Sequence, residues 1–324
     1  MSRSICVCLE FLSEEHKAMI RETAQGLGFA VHFFTAEETE QAKDCLQSCE
    51  ILFAHDPELL RAAPATLKWF CCSWAGVDVF CRQPELFANP GCILTNSNSY
   101  GVTIAEHVIM VTLMLLRRMP EYQASMNHRV WPAQHLPIRS IRDARFTILG
   151  AGNIGQNVAE RLRGMNAGRV TALSRSGRPH PSFDAVYPIS ALDGVLPETD
   201  VLILALPGTA ETQNLMNRQR LALLRPDAYL INVGRGTAID QEALADALNG
   251  GRLAGAALDV MVPEPLPEDH PLWSARNLLL TPHISGNMSL GYTQDLTVEL
   301  FCRDLANYAA GRPLAGTVDR ALGY

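Results

Sequence analysis

At 324 residues the chain exceeds what one hydrophobic core usually serves, so the expectation is about two domains. With 48% hydrophobic and 19% charged residues it has ample core material for a globular fold. Its formal charge of -7, without any run of Lys and Arg, argues against a nucleic-acid surface and favours small-molecule work. The first ten residues lack the length and cleavage pattern of a signal peptide. The most apolar helix-like run, Val102 to Met119, is free of charge only from Val108 to Leu116, too short to span a bilayer. A cytoplasmic protein without a membrane partner is therefore expected. Nine cysteines with no C-x-x-C pair and no zinc-like spacing read as reduced, buried thiols, and no metal site is expected.

Along the first hundred residues, apolar runs alternate with amphipathic stretches. Ile5 to Leu9, Phe29 to Phe34, Ile51 to Ala54, Trp69 to Cys72 and Ile93 to Leu94 read as strands; Ser13 to Leu27 and Glu37 to Cys49 read as helices. Such alternation predicts a parallel sheet covered on both faces. The turn Ser73-Trp74-Ala75-Gly76-Val77-Asp78 closes the fourth strand, at the edge where open α/β sheets bind ligands. A plain strand-to-helix turn with Gly76 supplying a permissive dihedral reads the letters equally well. Phe53-Ala54-His55-Asp56-Pro57 closes another strand of the same sheet. The helix predicted over Val102 to Met119 is apolar almost all round and must be buried on most faces, between domains, between subunits or both. A connector without strong period, Pro120 to Arg142, follows it.

A second α/β unit starts at Arg145. Phe146 to Leu149, Val170 to Leu173, Val201 to Leu206, Tyr229 to Val233, Ala254 to Leu258 and Leu278 to Leu280 give at least six strands. Between them, a helix runs from a capping Asp240 to Asn249. After the first strand comes Gly150-Ala151-Gly152-Asn153-Ile154-Gly155, opening a helical pattern. Strand, glycine turn and helix in that order suit a dinucleotide. The first glycine permits the turn, the second admits the pyrophosphate to the backbone, and the third lets the helix pack on the strand. The acidic residue that an NAD site carries roughly 20 residues later is replaced by Ser174-Arg175-Ser176-Gly177-Arg178. A guanidinium there can grip a 2′-phosphate that a carboxylate would repel, so NADP(H) is expected over NAD(H), which stays open.

Asn232-Val233-Gly234-Arg235-Gly236, Leu258-Asp259-Val260, Pro263-Glu264-Pro265-Leu266-Pro267 and Thr281-Pro282-His283-Ile284-Ser285-Gly286 each follow or close a strand of this unit. All could meet at one carboxyl edge. An Arg, a Glu and a His gathered there suit reduction of a 2-keto acid. Arg235 can bind the carboxylate or keto oxygen, and a protonated His283 paired with Glu264 can deliver the proton that the oxygen needs. Finally, Leu290 to Ala310 reads as an amphipathic helix.

With Ser73 to Asp78, Ala105-Glu106-His107, the glycine turn, Asn232 to Gly236, Asp259 to Pro267 and Thr281 to His283 in this order, the chain resembles the D-isomer-specific 2-hydroxyacid dehydrogenase family. The Ser-Arg-Ser turn, Pro271 to Trp273 and Val318 to Tyr324 look like its NADPH-dependent glyoxylate/hydroxypyruvate reductase branch. The resemblance implies an α/β fold of two doubly wound parallel-sheet domains. A Rossmann-like dinucleotide domain (99-287) is inserted into a flavodoxin-like substrate domain (1-98 and 288-324), and the two close over the substrate. It implies Arg235 as substrate-orienting electrophile, Glu264 as partner of the imidazole and His283 as general acid and base. Amides around Ala75, Gly76 and Val77 would hold the substrate carboxylate, with Trp74 and His55 near its variable group. Thr103, Gly150, Gly152, Asn153, Ile154, Gly155, Ser174, Arg175, Ser176, Arg178, Leu206, Pro207, Thr212, Val233 and Gly234 would line the cofactor, and Asp259 would orient its carboxamide. The implied partners are a small 2-keto or 2-hydroxy acid and a second copy of the chain, dimerised through the nucleotide domain. Val108 on the apolar helix is expected at that interface. Two other classes keep the same motifs: a cofactor-binding corepressor or redox-sensing scaffold, and an NAD-linked enzyme with a non-keto substrate such as formate or phosphite, which Arg175 disfavours.

Overall fold

The computed structural model describes residues 3-324 and divides into two compact units. The first runs to Tyr100 and resumes at Met288; the second is Gly101–Asn287. In chain order the first unit contributes β1 (Arg3–Cys8), α1 (Glu14–Gly26), β2 (Phe29–Phe34), α2 (Thr39–Leu46), β3 (Ile51–Ala54), α3 (Pro57–Arg61), β4 (Trp69–Cys72), α4 (Asp78–Arg82) and β5 (Ile93–Thr95). The strands are all parallel in the order β2-β1-β3-β4-β5, the flavodoxin-like arrangement. Alternate residues serve opposite faces. Ile5, Val7, Ile51, Phe53 and Trp69 pack on one side, and Cys6, Cys8, Leu52, Ala54 and Phe70 on the other. Both faces are buried, so the strands read as continuous apolar runs.

The second unit contributes α5 (Gly101–Leu116), α6 (Met119–Asn127), β6 (Arg145–Leu149), α7 (Asn153–Gly164), β7 (Arg169–Ser174), β8 (Ala185–Pro188), α8 (Leu192–Val195), β9 (Val201–Leu204), α9 (Arg218–Leu221), β10 (Tyr229–Asn232), α10 (Gln241–Asn249), β11 (Gly255–Leu258) and β12 (Leu278–Leu280). Its seven parallel strands run β12-β11-β10-β9-β6-β7-β8, a doubly wound Rossmann-like order whose switch point lies between β6 and β9. The chain then returns to the first unit as α11 (Gly291–Ala309), whose Val298, Phe301, Cys302 and Leu305 seal the face carrying Phe53 and Trp69. Phe301 stacks on Phe53 with centroids 4.2 Å apart and on Trp69 at 5.5 Å. Without α11 that aromatic face would meet water, so the first unit needs both ends of the chain.

Four expectations change. The apolar helix stops at Leu116; Arg118 takes a left-handed φ of 59°, and Met119–Asn127 forms a second helix where an irregular connector was expected. Pro120 sits in its first turn, where a missing N–H costs nothing, so it opens a helix there. Secondly, α5 is buried on most faces, as expected, but within its own unit. Ile104, Ala105, Val108, Val111, Thr112 and Leu115 face inward at helical spacing, while Met110 is exposed. Val108 is fully buried within this unit, packed there instead of facing a partner, so a charge at Val108 would strike the fold itself. Thirdly, the edge strand β8 has too short an apolar run to be read from sequence. Finally, Gly76 does not occupy the left-handed region, so the turn after β4 does not use a permissive dihedral there.

None of the nine cysteines forms a disulfide, and burial raises the thiols of Cys72 to about 12 and Cys92 to about 11. Among the described residues no helix is long and apolar enough to cross a membrane.

At the opposite edge of the second sheet, Asp200 fastens the connector to the strands. Its carboxylate accepts from Arg145 N at 2.8 Å, Arg145 Nε at 3.2 Å, Arg225 at 3.1 Å and Arg139 at 3.3 Å. Burial works against its charge, but the Arg145 guanidinium and amide, aided by Arg139, hold the carboxyl below its usual range. A folded-state value below the unfolded one gives stability that is present above the unfolded value and lost as pH falls through the folded one. Asp200→Asn should therefore cost about 2 kcal/mol in urea denaturation at pH 7, a partly exposed network being worth less than a fully buried one. The difference from wild type should shrink as pH falls below about 4. A difference that stays constant down to that pH would show the charge to be irrelevant.

Candidate active site

The glycine turn links β6 to α7 at the switch point. A methyl on Gly150, whose φ is +112°, would fall 2.4 Å from Ala205 O at the end of β9, and one on Gly155 would fall 2.0 Å from Gly150 O. A methyl on Gly152 would meet nothing within 4 Å. The first and third glycines thus allow strand, strand and helix to close up, while the second borders open space at the start of a 12-residue helix. That cradle fits a dinucleotide pyrophosphate, with the amides and dipole of α7 as its anion site. Ile154 is half-buried on the same turn. The Asn153 side chain turns elsewhere: its Oδ1 is enclosed without a partner among the described residues beside Gly101, where a methyl would come within 2.2 Å.

After β7, Ser174 Oγ accepts from Gly177 N at 3.1 Å and Ser176 Oγ from Arg178 N at 3.4 Å. Gly177 has a φ of +64°, and a side chain on it would strike Pro188. The turn is therefore shaped by its own serines, with Arg175, Ser176 and Arg178 exposed. After β9, Leu206 and Pro207 enter a loop whose carbonyl Pro207 O accepts from Thr212 Oγ1 at 2.7 Å. Thr212 is thereby engaged within its own loop. Thr103 lies in the first turn of α5.

After β10, Asn232 latches the next turn. Its Oδ1 accepts from Gly234 N at 3.0 Å and its Nδ2 donates to Arg235 O at 2.9 Å. Val233 is buried, continuing the ladder by donating to Leu204 O at 3.0 Å. Gly234 abuts Leu206, where a methyl would lie 2.6 Å from its carbonyl oxygen, and Gly236 abuts Met261, where one would lie 2.3 Å from its carbonyl. These close approaches fix the backbone of Arg235, which is half-buried.

His283 stands on a left-handed residue, φ 54°, in the loop after β12. Its Nδ1 lies 2.7 Å from Glu264 Oε2, and Glu264 Oε1 accepts from Met261 N at 2.8 Å. Asp259, at the end of β11 and 2% exposed, holds the loop: its main-chain oxygen accepts from His283 N at 2.9 Å. Its carboxylate accepts from Thr281 Oγ1 at 2.7 Å, Ile284 N at 2.9 Å and Ser285 N at 3.0 Å. Burial pushes against the charge, but the Ser285 and Thr281 hydroxyls and these amides hold the carboxyl below its usual range. Asp259, which the family resemblance puts beside the nicotinamide, has its carboxylate on the histidine's loop in this structure. Nothing in the spacing of Asp259, Thr281 and Ser285 announces this, because Asp259 follows one strand and the other two follow the next.

In the first unit, His55 and Trp74 close neighbouring strands and stack with centroids 4.7 Å apart. His55 Nδ1 lies 3.0 Å from Ser73 Oγ, and burial pushes the imidazole below its usual range, with Glu10 pulling the other way. The Trp74 carbonyl accepts from Ser97 N at 2.9 Å and the Ala75 carbonyl from Asn96 Nδ2 at 2.7 Å. Tyr100 Oη donates to Ser73 O at 3.1 Å. With its carbonyls pinned by residues the sequence reading overlooked, the turn has the amides of Ala75, Gly76 and Val77 uncommitted among the described residues.

Residues 109-285 match the family model described as D-isomer specific 2-hydroxyacid dehydrogenase, NAD binding domain. A glyoxylate/hydroxypyruvate reductase A from Salmonella newport is 32% identical over 273 residues, 83% of this chain and 85% of that one. A crystal structure of a D-isomer specific 2-hydroxyacid dehydrogenase family protein from Aeromonas salmonicida superposes with a TM-score of 0.80 at 32% identity, covering 99% of this chain and 100% of that one. An NADPH-dependent glyoxylate/hydroxypyruvate reductase from Sinorhizobium meliloti, in complex with NADP and sulfate, gives 0.82 at 26% identity over 99% and 100%.

Proposed function

Because the chain belongs to the D-isomer specific 2-hydroxyacid dehydrogenase family, we propose that it reduces a small 2-keto acid, glyoxylate, hydroxypyruvate or one of similar size, to the D-2-hydroxy acid with NADPH preferred over NADH. The observation that carries the reading is the 2.7 Å pair of His283 and Glu264, set on the same sheet edge as Arg235 and the glycine turn. The bound dihydronicotinamide supplies a hydride to the carbonyl carbon.

The protein's own groups do the rest. With Nδ1–H donating to Glu264, the Nε2 of His283 is the position that gives a proton to the carbonyl oxygen during reduction and takes one back during oxidation. The Arg235 guanidinium, its backbone fixed by two glycine contacts, polarises the carbonyl and orients the carboxylate. In the first unit, the amides of Ala75, Gly76 and Val77 form a carboxylate cradle that needs no charged side chain, with Trp74 and His55 beside the substrate's substituent. Arg175, flanked by Ser174 and Ser176 and followed by Arg178, takes the adenosine 2′-phosphate, which supports NADPH.

The chain works as a homodimer paired through the second unit. Met110, Met126, Val130, Trp131 and Ile138 are all exposed there on α5, α6 and the following connector, Trp131 at 94%. Large apolar side chains held in water mark association surfaces.

His283→Gln should lower kcat by about 10² or more while NADPH binding stays near normal, since only proton transfer is lost. Wild-type turnover in that variant, measured over a panel of glyoxylate, hydroxypyruvate, pyruvate, ketopantoate and phenylpyruvate, would remove His283 from the chemistry. The same panel, run with both cofactors, separates a reductase from a scaffold that only binds cofactor. Arg175→Asp should invert the ratio of kcat/KM for NADPH over NADH; an unchanged ratio places the 2′-phosphate elsewhere. Trp131→Glu should shift sedimentation velocity from dimer to monomer, and an unaltered dimer would move the interface off this surface.

A further inference from the structure

His107 lies on α5, beside the loop that carries His283 but without a place in the chemistry above. Its Nε2 is 3.3 Å from Thr281 Oγ1, and Thr281 Oγ1 is 2.7 Å from Asp259 Oδ1. A hydroxyl has one proton to give, and the carboxylate can only accept. Thr281 therefore donates to Asp259, and the imidazole donates from Nε2–H to Thr281. The direction of the chain, His107 to Thr281 to Asp259, follows from proton counting alone. Burial lowers His107 below the usual imidazole range, against the pull of Asp259, which suits a neutral ring with a single N–H.

Asp259 is the hub of the His283 loop. Its carboxylate takes Thr281, Ile284 and Ser285, and its main-chain oxygen takes the His283 amide. A non-glycine residue at φ 54° is held there only when its surroundings over-determine it. The Thr281 hydroxyl, like that of Ser285, can rotate away from the carboxylate, as the amides cannot. A donor on its other side removes that freedom: the oxygen's lone pairs face His107, and its proton is left to face Asp259.

We propose that His107 is a positioning residue, which by donating to Thr281 locks the Thr281–Asp259 bond and with it the left-handed turn that presents His283 to Glu264. The imidazole touches none of the reacting groups and acts only through Thr281. The catalytic readout below rests on the function proposed above; the spectroscopic one does not.

The experiment uses the full-length enzyme and the variants His107→Leu, His107→Gln, Thr281→Val and the double variant His107→Leu/Thr281→Val. Leucine cannot donate, whereas the glutamine amide can. His107→Leu should lower kcat about tenfold through misplacement of the general acid, with KM and NADPH affinity within about twofold; His107→Gln should restore most of it. In nitrogen-15 histidine-labelled protein without substrate, the His283 Nδ1 proton shared with Glu264 should give a resonance in wild type and His107→Gln, and lose it to solvent exchange in His107→Leu and Thr281→Val. The double variant should be no slower than Thr281→Val, since both changes break one chain. Wild-type kcat with an intact resonance in His107→Leu overturns the proposal, as does failure of His107→Gln to rescue or additivity in the double variant. If His107→Leu melts early, His107→Gln and Thr281→Val decide the matter. If wild type reduces no 2-keto acid, the functional reading fails while the resonance still tests the positioning role.

Discussion

The buried carboxylate of Asp259 is the constraint on which the reactive part of the second unit depends. An ionised carboxylate withdrawn from water is costly unless its lone pairs are filled, and here they are filled by Thr281, Ile284 and Ser285. The same residue's main-chain oxygen holds the His283 amide. One side chain at the end of β11 thus defines the loop after β12, and through it the separation between His283 and Glu264. The desolvation cost is offset by geometry that leaves the histidine few alternatives, which is the preorganisation that proton transfer requires.

That arrangement is possible because the strands are parallel. The residues after β6, β9, β10, β11 and β12 all emerge at one edge, so segments far apart in the chain, such as Gly150 and Ala205, become neighbours. Glycines then permit contacts that any side chain would forbid: Gly150 against Ala205, Gly234 against Leu206 and Gly236 against Met261. Each lies at a crossing between adjacent strand ends. The pattern that reads in sequence as a set of short motifs is, in space, a row of backbone segments packed side by side.

Most of the first unit's framework was legible because both faces of its sheet are buried. Ile51 to Ala54 and Trp69 to Cys72 are uninterrupted apolar runs with turns at their ends, and they are strands in the structure. The helix Gly291–Ala309 was also legible, from its amphipathic period, while its return to the first unit was implied by the family resemblance. The misreadings have local causes. The stretch from Pro120 was expected to be irregular because it lacks a strong period, yet a proline in a first turn starts a helix as readily as it stops one. The edge strand β8 carries too little apolar material to show a period. Val108 was placed at an interface because α5 is apolar almost all round, but hydrophobicity does not say which neighbour buries it, and α5 packs against its own unit's α7.

The amino-acid sequence by itself determined the two α/β units, the glycine turn and the residue types available for chemistry, because periodicity, glycine and charge act locally and leave their mark within a few positions. Only the tertiary structure decided what those residues are bound to. Asp259 serves the His283 loop, Asn153 turns its oxygen into a helix contact, Thr212 closes its own loop, and His107 joins Asp259 through Thr281. The reason is physical: a hydrogen bond is fixed by distance and direction between particular atoms. Those are set by the register of neighbouring strands, and spacing along the chain does not encode them.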